Sequence, residues 1–137
     1  MEKILFELPM KVRDYECDAQ GIVNNANYQH YYEVARHDFL EENGLDFYTL
    51  HTEGLDAVVV SVHIRYHHSL HGNEKFVCTI DSLEKEGIRY IFNQSIYRER
   101  DGKKCSSARI ETACMLNGRV GKPELFDKVF GKYLVEK

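Results

Sequence analysis

Asp18, Gly21 and the asparagines Asn24, Asn25 and Asn27 crowd into the stretch DAQGIVNNAN, directly ahead of an aromatic run containing Tyr28, Tyr31 and Tyr32. A carboxylate can take a proton from water or attack an electrophile itself. Glycine lets the chain reverse tightly, and asparagine side chains accept from the free amides at the start of a helix. Those amides lie at the positive end of the helix dipole, where they favour negative charge developing on an oxygen. The segment thus brings together a base or nucleophile and an oxyanion-stabilising group. The rival reading is plainer, since aspartate is a common turn residue and asparagine a common cap.

The elements around this stretch must position it. From about Asn27 to Asn43, Tyr28, Tyr31, Tyr32, Ala35 and Phe39 follow the spacing of one helical face, and Gln29, His30, Glu33, Arg36, His37 and Glu41 dominate the other. Asn43-Gly44 supplies a helix stop. Whether the aromatic stripe lines a pocket or packs into a core is left open by the spacing.

The remaining segments alternate as strands. Ile4, Phe6, Leu8, Met10 and Val12 share one parity, and Pro9 on the other confines that strand to an edge or a bulge. Val58, Val60, Val62, Ile64, Tyr66 and Leu70 oppose Ser61, His63, Arg65, His67, Ser69 and His71, which predicts a long strand with one wet face. Strands around Phe76–Ile80, Ile88–Ile96 and Ala108–Leu116 follow, with a hairpin at Asp101-Gly102 and an end near Asn117-Gly118. A short helix is expected after Pro123. The order is strand, long helix, then four strands on short, hence antiparallel, links. We expect an α+β fold over residues 1–137 as one domain, with a five-stranded antiparallel sheet wrapped around a long central helix and a short C-terminal helix.

Composition narrows the function classes. Eighteen basic against 22 acidic residues give a formal charge of -4, which argues against a nucleic-acid binder. No run approaches the roughly 20 apolar residues of a membrane span, and the N-terminal apolar run is interrupted by Glu7, unlike a signal peptide. Cys17, Cys78, Cys105 and Cys114 show no C-x-x-C spacing, so reduced, packed thiols and a cytoplasmic location are expected.

The motif YECDAQGIVNNANYxxYxExAR resembles the hotdog-fold acyl-CoA thioesterases, in particular the 4-hydroxybenzoyl-CoA thioesterase-like branch, at Asp18, Gly21, Val23, Asn27, Tyr28, Tyr32, Glu33 and Arg36. The resemblance implies hydrolysis of an acyl-CoA thioester to free acid and coenzyme A, without a further cofactor. It places Asp18 as the catalytic carboxylate and the backbone amide near Asn25 as the group polarising the thioester carbonyl. It puts Gly21, Asn24, Asn27 and Tyr28 around the substrate. The acyl group is expected between subunits, in a homodimer that often pairs again into a tetramer. The sequence departs from many relatives in having Ser69 in place of a proline, and from some in having Asn25 in place of a histidine. The chemistry suits the residues. A thiolate leaving group needs little help from an acid, its conjugate acid having a pKa of about 8.5 by analogy with cysteine. One carboxylate and an oxyanion site then suffice.

Other readings compete. The substrate could be an acyl carrier protein thioester, or the protein a non-catalytic acyl-CoA binder. Glu33 could replace Asp18 as the acid, or simply pair with Arg36. Cys17 could be a nucleophile, but a packed thiol fits its position better. His63, His67 and His71 fall on one parity, yet no carboxylate or cysteine completes a tetrahedral metal set there, and no metal is expected. Arg65, His67 and His68, with Arg98, Arg100, Lys103 and Lys104, are candidates for the phosphates of coenzyme A; solvated surface is the alternative for each.

Overall fold

Antiparallel pairing between distant segments organises the chain in the computed structural model, which describes residues 4–134. The strands are β1 (Phe6–Lys11), β2 (Leu55–Tyr66), β3 (Lys75–Glu86), β4 (Arg89–Arg98), β5 (Lys104–Leu116) and the short β6 (Arg119–Val120). They lie in the order β1-β3-β4-β5-β2, with β6 folded back on β5. The helices are α1 (Asn25–Glu42), α2 (Phe47–Thr52) and α3 (Glu124–Phe130). The five-stranded antiparallel sheet, the long central helix and the short C-terminal helix are those expected from the sequence. Pro9 sits on β1, at one edge of the sheet, where its missing N–H costs no ladder bond.

Helix α1 begins two residues earlier than the aromatic stripe suggests, because Asn24 caps it: its side chain accepts from the Ala26 amide at 3.0 Å. The stripe Tyr28, Tyr31, Tyr32, Ala35 and Phe39 faces the sheet and is buried. These rings are core, not pocket wall. Two apolar clusters result. One gathers around Tyr28, Tyr31 and Tyr32 with Phe76, Ile96 and Ile110; the other gathers around Phe39 with Ile80, Leu83, Phe126 and Phe130.

Besides β6, two features escaped the sequence pattern. Helix α2 is only one and a half turns long and is started by Asp46, whose side chain accepts from the Thr49 amide at 3.0 Å. The second is in β2. Its register against β5 slips between Val59 and Ser61, so residues before and after the slip exchange parity. Ala57 packs into the core on one side of it and Ile64 on the other. The single alternating face expected from Val58 to Leu70 is therefore corrected. The strand ends at Tyr66, Leu70 is buried in the following loop, and His71 bonds Glu74 instead of joining a row with His63 and His67. Val58, Val59, Val60 and Val62 all remain exposed, on the second edge strand of the sheet.

The C-terminal half of α1 is held by ring contacts. Phe39, 2% exposed, stacks on Phe130 at 5.5 Å and meets Phe6 at 5.6 Å and Tyr133 at 5.3 Å. Truncating it leaves a cavity whose neighbours come from two separate segments, β1 and the C-terminal helical stretch, which cannot both move in to fill it. Phe39→Ala should cost about 3–5 kcal/mol in urea unfolding; a loss under about 1 kcal/mol would show that α3 closes the gap.

Candidate active site

Asp18 opens a tight turn. Its Oδ1 accepts from the Gln20 amide at 2.8 Å, its carbonyl accepts from Gly21 N–H at 3.0 Å, and its own amide donates to Ile22 at 2.9 Å. Gly21 closes the turn at φ +77°, a conformation that disfavours a side chain. A bridge between Cys17 and Val23 zips the turn at its base. The chain leaves it directly into α1, and Asp18 is exposed.

The first turn of α1 has four amides to satisfy. Asn24 N–H donates to the Glu16 carbonyl at 3.0 Å, Ala26 N–H to Asn24 Oδ1, and Asn27 N–H to the Asn24 carbonyl at 2.9 Å. The Asn25 amide has no acceptor among the described residues. This is the donor that the family resemblance points to, and it is left open beside the Asp18 turn. Tyr66 on β2 reaches the same residue, its hydroxyl donating to the Asn25 carbonyl at 3.4 Å.

Glu16 fixes the two parts to each other, a role the sequence did not reveal. Its carbonyl also accepts from Asn27 Nδ2 at 2.8 Å, and its carboxylate accepts from Arg13 N–H at 2.6 Å and from the Tyr31 hydroxyl at 2.8 Å. Burial, then the hydrogen bond to Glu16, pushes the Tyr31 phenol up, so it remains a donor. Asn24 and Asn27 are thus committed to protein partners. Tyr28 is 3% exposed, with its hydroxyl accepting from Leu70 N–H at 3.4 Å and its pKa pushed up to about 12, mainly by burial. Burial, then the charges of Asp14, Glu16 and Asp18, raise the Cys17 pKa, which favours the protonated thiol over a nucleophilic thiolate.

A cavity of about 470 Å³ opens farther along α1, and Asp18 is not among its walls. Glu33, His37, His51, Asp56, Val58 and Val59 stand around it where solvent reaches, and Leu40, Tyr90, Phe92, Phe126 and Phe130 form its buried part. Arg36 lines it too, 6% exposed, with Nη1 donating to Gln94 Oε1 at 3.1 Å; burial lowers its pKa against the opposing charge of Glu33. Glu33 lies within 3.8 Å of His37, so the expected Glu33–Arg36 pair is replaced by an i, i+4 contact.

The proposed basic patch is rearranged. Arg98 is 8% exposed and gripped by Asp101 at 2.8 Å, and Arg100, though exposed, pairs with Glu74 at 2.8 Å, so both already have partners in the protein. Arg65 and Lys104 instead share a shallow cavity on the outer sheet face with His63 and Ser107. His67 Nε2 lies 3.2 Å from Ser107 Oγ, and His68 is exposed beyond the strand end.

Comparison with known proteins gives this arrangement a family. Residues 12–134 match the model of the thioesterase-like superfamily. The chain is 31% identical over 106 residues to the long-chain acyl-CoA thioesterase FadM of Escherichia coli, covering 77% of this chain and 80% of that one. It is 32% identical over 92 residues to the chloroplastic acyl-acyl carrier protein thioesterase ATL3 of Arabidopsis thaliana, covering 67% of this chain; it spans about half (48%) of that relative's length. Its fold superposes on the 1,4-dihydroxy-2-naphthoyl-CoA thioesterase Slr0204 of Synechocystis with a TM-score of 0.84 at 13% identity, covering 92% and 95% of the two chains. The resemblance drawn from the Asp18–Arg36 motif is borne out, and the chain belongs to the thioesterase-like superfamily of hotdog-fold enzymes that hydrolyse thioesters.

Proposed function

We propose that the protein hydrolyses an acyl-CoA thioester to the free acid and coenzyme A, with Asp18 as base or nucleophile and the Asn25 amide as the oxyanion donor. The observation that carries this reading is the open Asn25 N–H at the start of an 18-residue helix, one tight turn away from an exposed carboxylate. Along the base route Asp18 takes a proton from the attacking water, and the tetrahedral oxyanion held against the amide collapses to the free acid as the thiolate of coenzyme A departs; along the nucleophile route the carboxylate attacks, the thiolate departs from a mixed anhydride on Asp18, and water then cleaves that anhydride to release the acid and restore the carboxylate. The hydrogen bonds of the turn and cap hold the Asn25 amide in place before substrate arrives, which limits the reorganisation needed in the transition state. Arg65 and Lys104, with His67 and His68 alongside, are the groups we assign to the phosphates of coenzyme A. An acyl carrier protein thioester is the alternative substrate.

The competing carboxylate is Glu33, which lies on the large cavity while Asp18 does not. Asp18→Asn should keep the fold and lose two or more powers of ten in turnover, read as free thiol released from a series of acyl-CoAs; Glu33→Gln should stay within about tenfold of wild type. The reverse pattern would make Glu33 the catalytic acid.

We also assign the working unit to a homodimer joined along β2, with a dimer of dimers as its further assembly. Four exposed valines on an edge strand support this, since an apolar edge of that kind invites pairing with a second copy. Val60→Glu should then give a folded monomer by sedimentation, with activity reduced in step with the lost dimer. An active wild-type monomer at assay concentration would refute the assignment.

A further inference from the structure

The Asp18 turn is held from two sides. Glu16 ties it to α1, and the loop between Tyr66 of β2 and Lys75 of β3 holds the other side. Val23 N–H donates to the Leu70 carbonyl at 2.8 Å, Gly72 N–H donates to the Gly21 carbonyl at 3.3 Å, and Ile22 forms an antiparallel bridge with His71. Gly21, Ile22 and Val23 are thus paired in sequence with Gly72, His71 and Leu70. The Asp18 carboxylate is placed only as well as this loop is.

Glu74 is the polar centre of the loop. Its Oε1 accepts from both the backbone N–H and the Nδ1 of His71, each at 2.9 Å, and its Oε2 accepts from Arg100 Nε at 2.8 Å. A carboxylate has no proton to give, so Nδ1 is the protonated nitrogen of the His71 ring. The Glu74 carbonyl also accepts from Val12 N–H at 2.9 Å, just beyond β1. The turn between β4 and β5 reaches the loop a second time, where Arg98 Nη1 donates to the Ser69 carbonyl at 3.2 Å. Burial opposes the charge of Glu74, but the bonds from His71 and Arg100 outweigh it and hold its pKa below the ordinary glutamate value. The Glu74 side chain is 14% exposed, against 53% for His71 and 56% for Arg100. Ion pairs with partners that wet contribute little to global stability, so losing them loosens the loop without unfolding the sheet.

We propose that Glu74 is a positioning residue for the hydrolysis: it fixes His71 on one side and Arg100 on the other, holds the loop against Gly21–Val23, and so sets where the Asp18 carboxylate stands relative to the Asn25 amide. This rests on the thioesterase reading with Asp18 as its carboxylate. Glu74 acts through the turn and not on the substrate. Its loss frees the turn on the side away from α1, while Glu16 keeps the other side closed. A displacement of about 1 Å at a reacting group costs on the order of a hundredfold in rate.

The experiment measures hydrolysis of octanoyl- and benzoyl-CoA, and amide hydrogen exchange by NMR, for wild type, Glu74→Ala, His71→Ala, His71→Asn, Asp18→Asn and the double variant Asp18→Asn with Glu74→Ala. Asparagine places an N–H donor as many bonds from the backbone as histidine Nδ1 and has no ring to titrate. Glu74→Ala should lower kcat about 10- to 100-fold and leave KM within about threefold. It should speed exchange at Val23 and Gly72 about fivefold or more, with Ala35 in α1 unchanged. His71→Ala should follow it, and His71→Asn should recover most of the rate. In the Asp18→Asn background, Glu74→Ala should cost less than about twofold, because no carboxylate is left to place. If Glu74→Ala does not fold, His71→Ala, which removes one arm, carries the same test. Unchanged exchange at Val23 and Gly72, or equal acceleration at Ala35, overturns the proposal and leaves the thioesterase reading intact. So does a raised KM with kcat kept, which makes the loop a binding element, or full additivity with Asp18→Asn. Failure of His71→Asn to recover rate overturns it in favour of the imidazole as a reacting group. Loosening confined to the turn, with no hydrolysis of either thioester by wild type, supports the hold of Glu74 on the turn and overturns the thioesterase reading instead.

Discussion

The hydrogen bonds centred on Glu16 are the constraint on which the rest of the site depends. One residue accepts from the backbone before the turn, from the first residue of the helix cap, from a side chain in the first helical turn and from a tyrosine on the buried face of that helix. Each bond is individually worth only about 1 kcal/mol. Together they remove the freedom of the Asp18 loop relative to the helix, which is the freedom that would blur a catalytic geometry. Because Tyr31 packs on Phe76 of β3 at 4.7 Å, the clamp is in turn referenced to the sheet.

A second polar connection works along the helix axis. Gln94 of β4 accepts from Arg36 and donates to the Tyr32 carbonyl at 3.2 Å and the Thr79 carbonyl at 3.3 Å. Gln94 is 1% exposed, so each of these bonds replaces water that cannot enter. Apolar contacts alone would let a helix slide or rotate over a smooth sheet. A buried amide with three assigned partners specifies one depth and one rotation.

The legible parts of the sequence were those with local causes. The helical period, the asparagine cap, the Gly21 turn and the Pro9 edge each depend on residues within a few positions of one another. The slip in β2 falls within the run Val58-Val59-Val60, where no residue differs from its neighbours enough to mark it. Glu16 shows its role only when Tyr31, fifteen residues on, is known to point back at it. The cavity floor joins β4 to α3, segments that no spacing argument connects. Arg98 and Asp101 stand three residues apart at the β4–β5 turn, so their pairing too has a local cause.

The exposed β2 edge has a consequence for the newly made chain. One side of β2 is unpaired and carries valines on both sides of its slip, which is the chemical profile of an edge that recruits other strands indiscriminately. The kink at the slip and the neighbouring His63 and Arg65 act as gatekeepers, shortening any flat apolar stretch that a foreign strand could copy. If that edge pairs with a second copy as proposed, assembly competes with aggregation for the same strand, and both speed up as the protein concentration rises.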